Sequence, residues 1–475
     1  MPDADHELFI VWTNTFPADD EGFVRSASAT FDDPRVHQFH DPGRTVGRAF
    51  APAIEMPTLR KVAEAIGADA ESLRGRFRDS YLFGDASVFD TMFFFPPGAE
   101  WLDEPPTPSA WVTQLDPQTF LLDETRFYWG EAMGDEMARL ARSVRPPASV
   151  PGARIWAGAP HNAFGDLVRF RGRFFATCRE ADTHVGGLDG KVRIVASSDG
   201  ATWEPLALIA EDGIDLRDPK LSVTPSGELL MTCGGVDYSD GLVGRHTRYA
   251  RSSDGATWTA PAPVVGIPTS NWFFRLAWTG GAEPTGYCMP TLWDADPATG
   301  KIDGATRRTA LYKTRDGVSY ERVGADLDVP ADACEASLAF EPDGTIYAVL
   351  RLASDSTRSL LLSAKPPYEL FERREIAHGL GGPHLIRLDD GRLIVGTREW
   401  PADRVDGVDD YATVVLRVDR DGNFERLLMP ASGGDTSYPG LVVHDGELWI
   451  QYYSSHEGQT ALYLARAPLS AVKRP

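Results

Sequence analysis

From about residue 160 onward, apolar and polar positions alternate in runs of strand length, and a glycine turn separates each pair of runs. The turns are Arg171-Gly172-Arg173, Ser226-Gly227-Glu228, Thr285-Gly286-Tyr287, Asp343-Gly344-Thr345, Asp390-Gly391-Arg392 and Asp445-Gly446-Glu447, with glycine spacings of 55, 59, 58, 47 and 55. The flanking runs include Leu229-Leu230-Met231-Thr232, Ile346-Tyr347-Ala348-Val349-Leu350 and Leu448-Trp449-Ile450-Gln451-Tyr452-Tyr453. β-Branched and aromatic residues of this kind pack well on a pleated, half-buried surface. A unit recurring at this period cannot bury its apolar face alone, so successive units must stack.

A second repeat lies between later strands of each unit. Ser197-Ser198-Asp199-Gly200-Ala201-Thr202-Trp203 returns as Ser252-Ser253-Asp254-Gly255-Ala256-Thr257-Trp258, and more loosely as Thr314-Arg315-Asp316-Gly317-Val318-Ser319-Tyr320. Asp and Ser/Thr side chains can bond back to nearby backbone N–H groups there, Gly supplies a positive φ, and the aromatic ring packs beneath. The pattern resembles the Asp-box of sialidases and related β-propellers. Each repeat then reads as strand, glycine turn, strand, loop, strand, box turn, strand. Six such blades span about residues 152–470, with Asp419-Arg420-Asp421-Gly422 as a box remnant. The expected fold class is all-β, a six-bladed β-propeller of sialidase type with an additional N-terminal α+β module. The last blade lacks its outermost strand, which Ala153-Arg154-Ile155-Trp156-Ala157 is expected to supply, because an open ring would leave an unpaired edge.

Residues 1–150 do not share the repeat and are expected to form a separate module, with 151–475 as the propeller. Leu59, Val62 and Ile66 share one helical face, as do Met133, Met137, Leu140, Ala141 and Val144. Phe93-Phe94-Phe95-Pro96-Pro97 between them must be buried, and Arg145 to Gly152 reads as a Pro-rich linker. The net charge of −22 disfavours nucleic acid or an anionic membrane as partner, because phosphates would be repelled. The amino terminus has no basic region, and Phe9-Ile10-Val11-Trp12 is too short for a signal or membrane segment. A cytoplasmic location is the plain expectation, with a processed secreted form left open. Cys178, Cys233, Cys288 and Cys334 have no zinc-finger spacing and are expected as core thiols at similar places in successive repeats.

The innermost strands of a propeller converge on one concave mouth. Counting back from each glycine turn places His161-Asn162, Arg217-Asp218, Arg275, Glu335, His384 and Tyr438 at their starts; the second strands end near Arg179-Glu180, Arg351, Arg398-Glu399 and Tyr453 to His456. Glu335-Ala336-Ser337-Leu338, followed by a strand ending in Arg351, resembles the sialidase stretch in which a Glu opens one strand and a substrate-binding Arg closes the next. Ser437-Tyr438-Pro439-Gly440-Leu441 resembles the segment bearing the sialidase tyrosine nucleophile. The resemblance implies that Glu335 takes the Tyr438 proton, since a phenol of pKa about 10 is otherwise a poor nucleophile. It also implies an acid/base aspartate on the loop after Arg179: Asp182, or else Asp189, with His184 able to assist or replace either.

One departure matters. Sialidases open their first blade with an Arg-Ile-Pro motif, whereas this chain has Pro160-His161-Asn162-Ala163-Phe164. Imidazole and carboxamide cannot reproduce the bidentate guanidinium fork. Arg351 remains, with Arg398 or Arg404 available as a further clamp and Arg217 and Arg275 as compensating charge. The expectation is an exo-acting, retaining glycoside hydrolase on an acidic or other non-standard glycan, with Tyr438, Glu335 and Asp182 catalytic. His161, Asn162, Arg179, Arg217, Asp218, Arg275, Arg351, His384 and Arg398 are its expected substrate-binding residues. No cofactor or metal is expected, since His161, His184, His384 and His456 lack ligand spacing. Carbohydrate is the expected partner. The alternatives are a uronate lyase, with His161, His384 or Tyr438 as base and Arg351 or Arg275 neutralising the enolate, and a non-catalytic sugar-binding propeller.

Overall fold

A computed structural model describes residues 7–13, 33–65, 84–96, 98–143, 146–187, 190–238, 244–268, 270–295, 302–400 and 411–473, with isolated positions 15, 22, 25, 28, 29 and 67. The chain divides into two units, 1–146 and 147–475. Among the described residues, no helix is long and apolar enough to cross a membrane.

The second unit is a six-bladed β-propeller of sialidase type. Blade 1 runs through His161–Phe170, Arg173–Ala181, Lys191–Ser197 and Glu204–Ile209, and blade 2 through Ile214–Val223, Leu229–Asp237, Gly244–Ser252 and Ala262–Pro263. Blade 4 comprises Ala333–Phe340, Ile346–Leu352, Ser359–Ala364 and Glu372–Ile376. Blade 5 comprises His384–Arg387, Leu393–Glu399, Ala412–Val418 and Phe424–Pro430. Blade 6 begins with Thr436–His444, Glu447–Ser454 and Ala461–Pro468. Its fourth strand is Gly152–Trp156, antiparallel to the third with Leu462 opposite Trp156, so the expected closure is present.

Two expectations need correction. Gly286 lies inside the strand Gly286–Cys288 of blade 3, and the turn before it is closed by Thr279 and Thr285. That blade is broken into short pieces, which displaced the apparent repeat. The stretch read as a linker also contains a strand, Ala148–Val150, which pairs in parallel with Phe424–Pro430 and widens blade 5.

The three copies of the second repeat fold alike. Ser197 Oγ accepts from Gly200 N at 2.7 Å, Asp199 Oδ1 accepts from Ala201 N and Thr202 N at 2.9 Å, and the Trp203 indole donates to Gly200 O. Ser252 to Trp258 and Thr314 to Tyr320 repeat these bonds. The turn glycines do a second task. A Cβ on Gly200 would fall 2.1 Å from Trp449, one on Gly255 2.1 Å from Phe175, and one on Gly317 2.4 Å from Leu230. Each turn therefore wedges its backbone against a second-strand side chain of the preceding blade, which locks neighbouring sheets together.

All four cysteines are free. Cys178 and Cys233 occupy equivalent second strands, but Cys334 lies on the innermost strand of blade 4 beside Glu335, so the thiols do not all share one repeat position.

The first unit pairs Leu8–Thr13 in parallel with Val36–Asp41, and Thr91–Phe94 antiparallel with Ala110–Thr113. Its larger core gathers Phe50, Ile54, Leu59, Val62, Val88 and Phe89, with Phe93 and Phe95 packed on it. Met133 and Leu140 of the helix Glu131–Ser143 bury against Val112. Ile66 and Val144 lie outside the described residues.

Candidate active site

Five of the six blades share a backbone device on, or just before, the innermost strand. Phe164, Asp218, Glu335, Gly382 and Tyr438 have φ of 62°, 51°, 47°, 61° and 54°. For four of them the strand register shifts at the same point, between Ala163 and Asp166, Arg217 and Lys220, Cys334 and Ser337, and Ser437 and Gly440. A bulge of this kind re-aims one side chain out of the pleat. Holding a non-glycine residue there costs about 1–3 kcal/mol, a strain that clusters at functional sites.

The chemistry is concentrated where blades 4, 5 and 6 meet. Tyr438 Oη donates to Glu335 Oε1 at 2.7 Å, Arg351 Nη1 donates to the same oxygen at 2.8 Å, and Gly382 N donates to Glu335 Oε2 at 2.8 Å. A Cβ on Gly382 would come within 2.5 Å of the Tyr438 ring, so this backbone approach requires glycine. Burial alone would raise the Glu335 carboxyl. The Arg351 charge, with the bonds from Tyr438 and Gly382, outweighs it and leaves the acid below its ordinary value. Burial and the Glu335 and Asp218 charges push the Tyr438 phenol well above 10. The resting state is thus a neutral phenol donating to a carboxylate. Trp400 lies near both the Arg351 and Arg398 guanidiniums.

Around this core, Phe164 packs edge-on against Tyr438, Tyr453 and His184 at 5.2, 5.6 and 4.9 Å. Arg217 lies over Phe164 and Trp272 and donates to Tyr238 Oη. Asp218 is buried, with Oδ1 lacking a hydrogen-bond partner among the described residues, and burial raises its carboxyl. Arg398 donates to Tyr453 Oη and Thr436 O. Asp435 receives Tyr453 Oη on Oδ1, and His161 Nε2 and His184 Nδ1 on Oδ2. Burial would raise the Asp435 carboxyl, but the two imidazoles and Arg398 hold it well below the usual range. One ligand atom each of His161, His184 and Asp435 lies within 4.8 Å of the other two, a grouping close enough to hold a metal ion.

Four residues expected to bind substrate are engaged within the scaffold instead. Asn162 is fully buried and ties Ala159 O to Thr460 O. Arg179 is also fully buried. It pairs with Asp215 at 2.8 Å and donates to the carbonyls of Thr183 and His184, bracing the loop that carries His184. Arg275 donates to Asp166 Oδ1, Pro439 O and Pro383 O, joining blades 1, 5 and 6. His384 Nδ1 accepts from Leu441 N, and burial and Arg275 pull the imidazole down to about 3. Lys220, whose Nζ donates to Phe164 O, Gly165 O and Pro219 O, completes this buried group beside Asp166.

Asp182 is exposed on the 182–187 loop, whereas Asp189 and Arg404 lie outside the described residues. His456 turns to Ser454 and Tyr463. Sequence reasoning missed Phe164, Gly382 and Asp435. The first two sit eight or nine residues before the turn glycines Gly172 and Gly391, as Asp218, Glu335 and Tyr438 do before theirs, so the period itself points to them. Asp435 lies just before a strand and no spacing marks it.

The propeller is similar to a protein of unknown function from Dyadobacter fermentans DSM 18053, at 17% identity over 66% of this chain and 97% of that one, with a TM-score of 0.56. It is also similar to the NanB sialidase from Streptococcus pneumoniae, at 10% identity over 67% of this chain and 70% of that one, with a TM-score of 0.50. The alpha-L-arabinanase of Penicillium chrysogenum matches at 14% identity over 68% and 99%, with a TM-score of 0.49. At these identities the likeness is one of fold. No protein-family model matches the chain, and comparison with curated proteins gives no match.

Proposed function

We propose that the chain is an exo-acting glycoside hydrolase that retains configuration through Tyr438 and Glu335. The observation that carries this reading is the 2.7 Å hydrogen bond from the Tyr438 phenol to a carboxylate that Arg351 also holds. Tyr438 Oη attacks the anomeric carbon while its proton passes to Glu335, giving a covalent glycosyl-enzyme that water then opens. A tyrosine nucleophile of this kind is an accepted exception to the two-carboxylate rule. The proton donor comes from the 182–187 loop, where the sequence offers Asp182. Arg351, Arg217 and Arg398 favour an acidic glycan, and the fold neighbour NanB is a sialidase.

The test is a panel of chromogenic sialosides, arabinosides and uronides against wild type and Tyr438→Phe. The variant should fold normally and lose about 10³-fold or more in kcat/KM. Intact-protein mass spectrometry with a slow, fluorinated glycoside should show a glycosyl adduct on wild type only. Full activity in Tyr438→Phe would remove the residue from the mechanism. An unsaturated product with new ultraviolet absorbance would mark a lyase instead.

A further inference from the structure

We infer that His184, oriented by Asp435, is the proton donor and acceptor of this site. The inference rests on the glycosidase reading and replaces Asp182 with a neighbour on the same loop. Three placements carry it. His184 Nδ1 is committed to Asp435 Oδ2 at 2.7 Å, which leaves Nε2 as the ring's other functional atom, with no hydrogen-bond partner among the described residues. The side chain is 46% exposed, so a ligand can reach this ring. Its ring packs edge-on against Phe164, the ring that also touches Tyr438, so one aromatic group separates the imidazole from the nucleophile.

The surroundings hold this side chain in place. Arg179 clamps the carbonyls of Thr183 and His184 from below. Asp435 is anchored by Tyr453 Oη at 2.9 Å, with Arg398 3.7 Å away. His161 occupies the second lone pair of Asp435 Oδ2 at 3.2 Å, its ring 5.3 Å from His184. A carboxylate on Nδ1 sets the tautomer and presents Nε2 for proton transfer, the geometry general acid–base catalysis requires.

The step balances as follows. The Tyr438 oxygen bonds to the anomeric carbon as its proton moves to Glu335. The glycosidic C–O bond breaks, its electron pair stays on the leaving oxygen, and that oxygen takes a proton from His184 Nε2. In the second step water attacks the same carbon and gives a proton to Nε2. The C–O bond to Tyr438 breaks, and the phenoxide recovers its proton from Glu335. Asp435 is a positioning residue throughout.

The test uses aryl glycosides of whichever sugar the panel selects, graded from 4-methoxyphenyl to 2,4-dinitrophenyl leaving groups. His184→Asn should lose about 10²–10⁴-fold on the poor leaving group and less than about tenfold on the activated one. Azide should rescue turnover of the activated substrate. Asp435→Asn should show the same pattern in weaker form, and Asp435→Glu should recover part of it. Imidazole nitrogen NMR of the ligand-free protein gives a second readout: a bonded Nδ1–H on His184 that disappears in Asp435→Asn. If Asp182→Asn shows the leaving-group dependence and His184→Asn does not, the inference is overturned while the Tyr438 reading stands. Absence of the Nδ1–H signal in wild type also overturns it. Failure of wild type to hydrolyse any glycoside removes both.

Discussion

Two arginine–carboxylate pairs in the propeller look alike on paper and differ in every respect that matters. Arg351 with Glu335 and Arg275 with Asp166 are bonded at 2.8 and 2.9 Å, and both reach across strands. In the second pair both groups are almost wholly buried, and the remaining guanidinium protons go to backbone carbonyls of two further blades. In the first, Arg351 Nε has no hydrogen-bond partner among the described residues, both side chains keep some solvent contact, and the carboxylate sits on a strained backbone and also receives a phenol. A satisfied polar network is a strut. An unsatisfied one on a strained backbone has capacity left for a ligand.

Opposite substitutions should separate the pairs most strongly. Arg275→Met leaves Asp166 as an uncompensated buried charge and should cost about 3–5 kcal/mol in chemical denaturation, with activity lost only as the fold is lost. Arg351→Met should lower kcat/KM by about 10²-fold or more, while stability changes by about 1 kcal/mol or less. Equal stability losses in both would mean that Arg351 too is scaffold.

Acid should sharpen the same contrast. His384 belongs to the buried group, with its folded pKa near 3 against about 6.5 when unfolded. Between those values the unfolded chain takes up a proton that the folded chain refuses, so stability falls as pH drops from 6.5 towards 3. The loss by pH 4 should be about 3 kcal/mol from this residue, and His384→Asn should flatten that part of the curve. An unchanged slope in the variant would show that the acid sensitivity arises elsewhere. The smallest effect belongs to the repeated turn. Ser197→Ala removes the acceptor for Gly200 N and should cost about 1 kcal/mol with kcat/KM unchanged.

Much of this arrangement was legible in the sequence, because the signals were periodic. The turn glycines and the Ser-x-Asp-Gly copies report blade number and strand order directly, and Glu335, Arg351 and Tyr438 stand at blade positions that the period indexes. The structure brings these three together. What escaped depended on tertiary competition for polar groups. Asn162, Arg179, Arg275 and His384 have the residue types of a binding site, yet backbone carbonyls, a backbone N–H or a buried carboxylate claim each of them. Phe164 and Gly382 escaped for the opposite reason. A search for polar side chains passes over a ring and a glycine, although one packs against the Tyr438 ring and the other leaves room for it.

The strand Gly152–Trp156 completes the very sheet on which Tyr438 sits, yet it precedes the first blade in the chain. Refolding must therefore bring together segments separated by almost the whole propeller before that sheet is finished, and such non-local pairing is slow. Secondary structure should return early and catalytic competence last, so recovered turnover would time the moment the circle shuts.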